Sequence, residues 1–396
     1  MDLVIVPFHD YKKWEEEGYR TRDAHLYKKF ESDERVRKIL VVNRPTSLAE
    51  VLIKNKKKFL NKGEIVYRNN RYQITRANSE TYVLDIFLKD FFKVIFERKK
   101  WWYSALSYNL VSNIINKAMI DLDMQNTVLY LQNPMSINLA KTLNVKIWGF
   151  DAIDNWLTHP QMGNIKSLVN SNYEYINNNA DFITTVSESL CAFFYKSGHS
   201  YWIPNGVDKD IFFLKECYNE NIKVCYVGKI QDRVNISLIE KCLDKFSNVD
   251  FYLVGPILSQ NKKIKFLAKK YNNFNIVGDI HYDTLPEVLS SFDIGIIPHH
   301  VNEFTNSMNP LKLYEYLASG LPVLTTPCAG VNNISPYVHI VESENGFVSE
   351  LGDIIKQINL KKYNPKDVME SIEENIFWDS KSNEIISIME NKLKEK

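Results

Sequence analysis

The sequence of 396 residues is poor in the features that mark a membrane-spanning, secreted or metal-bound chain. No run reaches the roughly 18 consecutive apolar residues that a membrane-crossing helix needs. The start, MDLVIVPFHDYKKWEEE, lacks a basic leader, an extended apolar core and a small-residue cleavage site, so it does not read as a signal peptide. Cysteine is scarce: five residues, at 191, 217, 225, 242 and 328, odd in number and without a CxxC pair. That argues against a disulfide framework or a cysteine-based zinc site and suits reduced thiols in the cytoplasm. Walker A and GxSxG sequences are missing, as is any cysteine–histidine constellation. Net charge is nearly absent too, with 49 Lys and Arg against 48 Asp and Glu. No nucleic-acid partner is expected.

What is present is an ordinary globular composition, 45% apolar and 13% aromatic, in a chain long enough for two domains. The charge is unevenly spread. Residues 51–100 hold 13 Lys and Arg against 5 Asp and Glu, an excess that suits an anionic partner or a solvated face.

The second half alternates β-rich runs with helical ones. KVCYVG (223–228), DFYLVG (250–255), FNIVG (274–278), DIGIIPH (293–299), PVLTT (322–326) and VHIV (338–341) read as strands. Helical stretches lie near 235–246, 261–271, 284–292 and 310–319. Apolar strands separated by helices predict a parallel sheet covered on both faces. Ligands of such sheets sit at the carboxyl ends of the strands, where Gly228, Gly255, Gly278 and Pro298 fall. The first half repeats the pattern less cleanly, in DLVIVP (2–7), KILVVN (38–43), TVLYLQ (127–132), VKIWGF (145–150) and DFITTV (181–186). Between these, 47–58 and 85–119 look helical. The Asn-Gly turn in IPNGVD (203–208) divides the halves, and the tail from about 367 reads as helix.

ADFITTVSESL, WIPNGVD, VCYVGKI, FYLVG, VGDIHYDTLPEVLSSFDIGIIPH and NPLKLYEYLASGLPVL, in that order, resemble glycosyltransferases of the GT-B fold. The resemblance is to the family-4-like enzymes of bacterial polysaccharide synthesis, including the teichuronic-acid type. It is strong over about 180–330 and fainter at Trp14, GYRTRDAHL (18–26) and GFDAIDNW (149–156); residues 50–120 match nothing recognisable. It implies an α/β protein of two doubly wound, Rossmann-like domains facing a cleft. Residues 1–203 would bind the acceptor, 204–368 the nucleotide-sugar donor, and 369–396 would form a helix returning to the first domain. The family's chemistry is transfer of a sugar from a nucleoside-diphosphate sugar, generally with retention and without a metal or other cofactor. Positive charge and amide hydrogens must then receive the departing diphosphate.

In NPLKLYEYLASG, Asn309 is the expected N-cap, Pro310 the first helical residue and Gly320 the C-terminal cap. The helix start would seat the diphosphate, and Glu315, one turn beyond Leu311, would accept the ribose hydroxyls. The bland alternative for Glu315 is a surface carboxylate. Lys229 and Arg233 follow the first strand of this half beside Gly228, where the family places basic residues, though the commoner order is Arg then Lys. As catalytic cations they compete with a reading as solvated loop residues. The resemblance assigns Asp279 and Ile280 to the loop that reads the base. Where the family often has a glutamate, this sequence has Ser307, and Ser307-Met308-Asn309 is expected to influence donor choice.

In the first half the family often carries a histidine where this chain offers Asp151 and Asp154. These could stabilise a developing cation or act as a base, and Asp154 could instead cap a helix. Arg20, Arg22 and His25 could meet an acceptor phosphate, or decorate a helix that Thr21 caps. His159 reads as structural. FFKVIFERKKWWYSALSY (91–108) interleaves aromatics with cations, as a helix at an anionic membrane surface would; helix-spaced aromatics are also ordinary core. Asp121-Leu122-Asp123 precedes a strand, so it is not the metal-binding DxD of another transferase class. Two alternatives remain beside a cytoplasmic, membrane-peripheral transferase: a non-catalytic nucleotide- or glycan-binding partner of another transferase, and an epimerase of the same fold.

Overall fold

The computed structural model describes residues 1–195, 198–214 and 221–396, the side chains of Lys99 and Gln161 excepted. They form two compact units. One holds Met1–Thr185, Leu190–Ile203 and Ser382–Lys396; the other holds Val186–Ser189 and Pro204–Lys381.

In the first unit, the described strands are β1 (Asp2–Val6), β2 (Lys38–Val42), β3 (Thr46–Ser47), β4 (Glu64–Arg68), β5 (Tyr72–Arg76), β6 (Thr81–Leu88), β7 (Thr127–Leu131), β8 (Ile147–Ala152), β9 (Phe182–Thr185) and β10 (Ser200–Trp202). Their order is β10-β9-β8-β7-β1-β2-β6-β5-β4, with β3 beside β6. All pairings are parallel except those of β5 with β4 and β6. Strands buried on both faces read as unbroken apolar runs, and β1 and β7 are buried throughout. Strand order reverses between β1 and β7, which makes the loops after them the natural ligand edge.

The β4–β6 extension corrects the expectation of helix from 85. TYVLDIFL is a fully buried strand, and helix resumes only at Phe92–Glu97. The helix foreseen over 47–58 spans only Leu48–Lys54, with Ser47 and Glu50 forming a capping box and Asn55 closing it in the left-handed region.

In the second unit, β11 (Lys223–Val227), β12 (Asp250–Val254), β13 (Phe274–Gly278), β14 (Ile294–Ile297), β15 (Val323–Thr325) and β16 (Val338–Ile340) run parallel in the order β13-β12-β11-β14-β15-β16. This is the doubly wound arrangement, with its reversal between β11 and β14. The pleat splits β11 between two cores: Val224 and Tyr226 enter one apolar cluster, Cys225 and Val227 the other. Gly228 and Gly255 hold φ of +122° and +133°, and a Cβ on Gly255 would lie 2.2 Å from the Gly228 carbonyl oxygen. The backbone can close this edge of the sheet only with glycine there.

The tail is not one helix from 367. Asn364 caps a short helix Pro365–Glu370, a turn of 3-10 helix follows at Glu374–Ile376, and the long helix begins at Trp378 and runs to Lys394. Cys191, Cys225, Cys242 and Cys328 form no disulfide, and Cys217 lies outside the described residues. Among the described residues, no helix is long and apolar enough to cross a membrane.

Candidate functional site

The helix Leu311–Ala318 is seated by its own aromatic face. Tyr316 packs over Gly295 of β14, where a Cβ would come within 2.3 Å of the ring. Its hydroxyl accepts a hydrogen bond from the Val227 amide at 2.7 Å. The helix is therefore tied to β11 and β14, the two strands at the reversal. Its C-terminus is a Schellman closure: the Leu321 amide reaches the Tyr316 carbonyl, the Gly320 amide reaches the Leu317 carbonyl, and Gly320 has φ +75°.

The N-terminus differs from expectation. The helical residues start at Leu311, Pro310 is the flanking residue at φ −77° and ψ 123°, and no side chain caps the amides. Asn309 is engaged elsewhere. Its Oδ1 accepts from the Asn205 amide at 2.7 Å, its carbonyl accepts from Asn205 Nδ2 at 2.6 Å, and its own Nδ2 donates to the Tyr314 hydroxyl and the Ala329 carbonyl. The side chain of Asn309 thus clamps the PNGVD turn and leaves the helix amides uncapped. Ser307 is likewise turned inward, its hydroxyl donating to the Phe304 carbonyl at 2.8 Å, while Met308 is half-buried.

Four cationic or potentially cationic groups gather at this edge. Lys312 is buried, donates to the Tyr226 hydroxyl at 3.1 Å and lies 4.4 Å from that ring's centre. Its Nζ would stand 3.2 Å from a Cβ on Gly228, so glycine there keeps the space beside the ammonium open. His299, from the end of β14, places Nε2 3.4 Å from the same hydroxyl. Burial, together with Lys312, Arg233 and His300, holds the His299 pKa well below the usual value. The Lys312 ammonium is also pushed down, by burial first and then by Arg233, against the opposing pull of Tyr226 and Glu315. Tyr226 ends up below the ordinary phenol value, because Lys312 and Arg233 outweigh its burial. Two buried nitrogens at this edge, Arg233 Nε and His299 Nδ1, have no hydrogen-bond partner in the structure. Unpartnered buried nitrogens beside mutually repelling cations are what an anion would satisfy.

Glu315 is buried one turn on, against Tyr282, whose phenol it holds protonated together with burial. It also bears electrostatically on Lys312. Lys229 is half-buried and follows β11 directly; Asp279 is exposed and Ile280 half-buried after β13. The structure therefore brings Gly228, Lys229, Arg233, Leu311 and Glu315 to one edge with Lys312 and His299. Sequence reasoning missed those last two. Lys312 stands three residues before Glu315 in an otherwise apolar helix, a spacing that puts both on one face.

In the first unit Asp151 is fully buried in β8 and saturated. Arg22 Nε reaches its oxygens at 3.0 and 3.2 Å, and the terminal Nη2 of Arg22 reaches Oδ1 at 3.0 Å. Thr184 donates to it at 2.8 Å, and Gln132 Nε2 lies at 3.4 Å. Arg22 opens helix α2 (Arg22–Ser32), whose Asp23 accepts from the His9 amide at 2.9 Å and lies 3.4 Å from His9 Nδ1. Burial would raise the Asp23 pKa, but His9 and a hydrogen bond from Thr21 outweigh it and bring it to about 2. Thr21 precedes α2 without a side-chain capping bond to its amides. His25 is buried in the same helix, and Arg20 pairs with Glu17 at 3.0 Å. Of the three basic residues expected for an acceptor phosphate, Arg22 is committed to Asp151 and Arg20 is paired with Glu17. Asp154 caps no helix; it is half-buried in a loop where its carbonyl accepts from the Tyr173 hydroxyl.

What the sequence reading missed in this unit is an aromatic group at the ligand edge. Phe8, just after β1, lies 4.3 Å from Trp156 and 6.1 Å from Trp102, and Trp156 lies 5.2 Å from His159. Among the described residues no cluster of His, Cys, Asp and Glu is placed to hold a metal ion.

Residues 221–359 match the family described as glycosyl transferases group 1. Solved structures align with the entire chain: a sucrose-phosphate synthase from Thermosynechococcus elongatus at TM-score 0.71 and 13% identity, covering 100% of each chain, and the catalytic domain of starch synthase IV from Arabidopsis thaliana, bound to ADP and acarbose, at 0.69 and 11%, covering 99% of each. The chain has the GT-B fold, and its residues 221–359 are similar to the group 1 glycosyltransferases. A curated relative from Bacillus subtilis (strain 168), TuaH, carries the description of a candidate teichuronic acid biosynthesis glycosyltransferase. It is 25% identical over 147 residues, which are 35% of this chain and 37% of that protein, so the GT-B chain matches little more than a third of that relative's length.

Proposed function

We propose that this GT-B protein transfers a sugar from a nucleoside-diphosphate sugar to a glycan or lipid-linked acceptor in bacterial surface polysaccharide synthesis. UDP is the favoured carrier, with GDP the alternative, and the transfer proceeds with retention and without a metal. The observation that carries this reading is the pair of cations Lys312 and Arg233 beside the neutral His299 imidazole around Tyr226, with two unpartnered nitrogens. A diphosphate would satisfy the Arg233 Nε donor and stabilise the mutually repelling Lys312 and Arg233, and the same groups would receive the charge that develops as the sugar departs. Lys229, beside Gly228, adds a further cation at that edge. Glu315 sits one turn into the helix as the ribose acceptor, and Asp279-Ile280 follow β13 as the base-reading loop. On the acceptor side, the half-buried Phe8 and Trp102 rings, backed by the buried Trp156, offer faces for a sugar, with Asp154 as the polar group nearby in sequence. Asp151 then acts through Arg22 and its neighbours as a structural anchor. The absence of a disulfide among the four described cysteines suits a cytoplasmic enzyme drawing on cytoplasmic nucleotide sugars.

Titration calorimetry with UDP and GDP tests the donor half. UDP should bind, and Glu315→Ala should weaken it by roughly ten-fold or more, the worth of a charged hydrogen bond. Unchanged affinity would remove Glu315 from the site. One observation favours a second reading, a binding partner without turnover: Ser307 supplies no carboxylate and its hydroxyl is spent on the Phe304 carbonyl. Nucleotide release from UDP-sugars decides between them, since binding without release would favour the partner role.

A further inference from the structure

Large apolar side chains are left in solvent at one end of the first unit. Phe96 is 82% exposed, Phe92 71%, Leu52 67% and Ile53 63%. Leu52 and Ile53 belong to helix α3 (Leu48–Lys54), Phe92 and Phe96 to helix α4 (Phe92–Glu97). The two helices touch, and the Ala49 amide meets the Asp90 carbonyl at 3.4 Å. Helix α4 buries none of its residues, and Phe92, Ile95 and Phe96 share one face at helical spacing. An exposed patch of this size and composition marks a contact surface.

The charge around it is one-sided. Residues 51–100 carry an excess of eight positive charges in a chain whose net charge is +1, so the remainder is net negative. Lys54, Lys57, Lys89 and Lys100 are exposed and make no ion pair among the described residues. Topology gathers these groups. Ser47, just before α3, pairs with Leu88 at the end of β6, and Tyr72 at the start of β5 pairs with Ile86. The carboxyl end of β6 therefore collects α3, α4, the lysine-rich loop 55–62 and the β4–β5 turn with Arg68 and Arg71. Lys58 fastens the turn to the loop, donating to the Asn70 carbonyl at 2.8 Å. Two further aromatics of 91–108 are not part of the surface: Trp101 is buried and donates to Asp90 at 2.6 Å, and Tyr103 is buried.

We infer that this end of β6 docks on an anionic lipid bilayer, with Phe92, Phe96, Leu52 and Ile53 entering the acyl boundary and the surrounding lysines and arginines meeting headgroup phosphates. A second copy of the chain fits less well, because it would set the same positive face against itself, and lysine is depleted in protein interfaces. A bilayer accepts apolar tips and a cationic rim together. The inference rests on the transferase reading only for its use, the capture of a lipid-linked acceptor.

The test is flotation of the full chain with vesicles of phosphatidylglycerol and phosphatidylcholine against phosphatidylcholine alone, without donor or acceptor, so it can fail independently of the donor-site reading. Binding should require phosphatidylglycerol and weaken with salt. The Phe92→Ser, Phe96→Ser double variant should lose at least roughly ten-fold in partition. Lys54→Gln with Lys57→Gln should lose several-fold, and thermal unfolding should show both variants folded. Absent or lipid-indifferent flotation would overturn the inference, as would full binding by the phenylalanine variant. So would a wild-type dimer, seen by light scattering, that this variant turns into a monomer.

Discussion

Both sheets place buried charge near the point where strand order reverses, and they treat it in opposite ways. In the first unit the Asp151 carboxylate is met by the Arg22 guanidinium, Thr184 and Gln132, so positive and negative balance within hydrogen-bond distance. In the second, Lys312, Arg233 and His299 crowd one tyrosine, and two of their nitrogens have no partner. A buried ion pair that is fully satisfied is architecture: removing either member leaves the other stranded. Buried cations in excess are a held-open position, and their removal relieves the fold while emptying the site.

That contrast can be broken by substitution. The largest effect is expected at Asp151→Ala, which leaves Arg22 buried and uncompensated and should cost about 3–5 kcal/mol in urea unfolding. If stability holds and turnover alone falls, Asp151 belongs with the catalytic groups and the contrast fails. Next comes Lys312→Ala, expected to weaken UDP binding by roughly ten- to hundred-fold in calorimetry while the melting temperature stays level or rises. A loss of stability with intact affinity would make Lys312 a structural residue instead. The third test uses pH. Asp23 has its pKa lowered from 3.8 to about 2, so it stabilises the fold above its unfolded value and loses that contribution as pH falls from about 4 toward 2. Urea midpoints over that range should fall by an amount worth about 2 kcal/mol, and Asp23→Asn should flatten that part of the profile. The smallest effect is expected from Ser307→Ala, about 1 kcal/mol for a buried hydroxyl bond and no change in donor preference. A switch of preferred sugar would return Ser307 to the donor site.

How far the sequence could be read follows from the same physics. Strands buried on both faces announce themselves as apolar runs, so β1, β2, β7 to β9, β11, β12, β14 and β15 stand out; the edge strands β13 and β16 are apolar as well though partly exposed, and the glycines that follow several of these strands point to the ligand edge. The extension over 64–88 does not. Its edge strand β4 is exposed along its whole length, and β6 runs almost directly into the apolar FFKVIF stretch, which pulls the helical reading back across it. At the site, Glu315 is conspicuous as a lone carboxylate among apolar neighbours. Lys312 is not, because one lysine in a helix is ordinarily a solvated residue; its burial comes from β11 and β14 closing over it. Arg22 and Asp151 are visible in sequence as charged residues 129 positions apart, but only the packing of α2 onto β8 shows that they neutralise each other.

The long terminal helix has a consequence for how the protein is made. Its residues from Ser382 onward belong to the first unit, where Arg35 meets Asn383 and Lys396 meets Asp181, while all of Pro204–Lys381 belongs to the second. A ribosome therefore finishes every residue of the second unit before it supplies the last pieces of the first. The part begun earliest is completed latest, and until then its seat for that helix is an uncovered surface that a nascent chain must keep from sticking to others. A stop codon placed shortly after Lys381 would spare the second unit in sequence and injure the first.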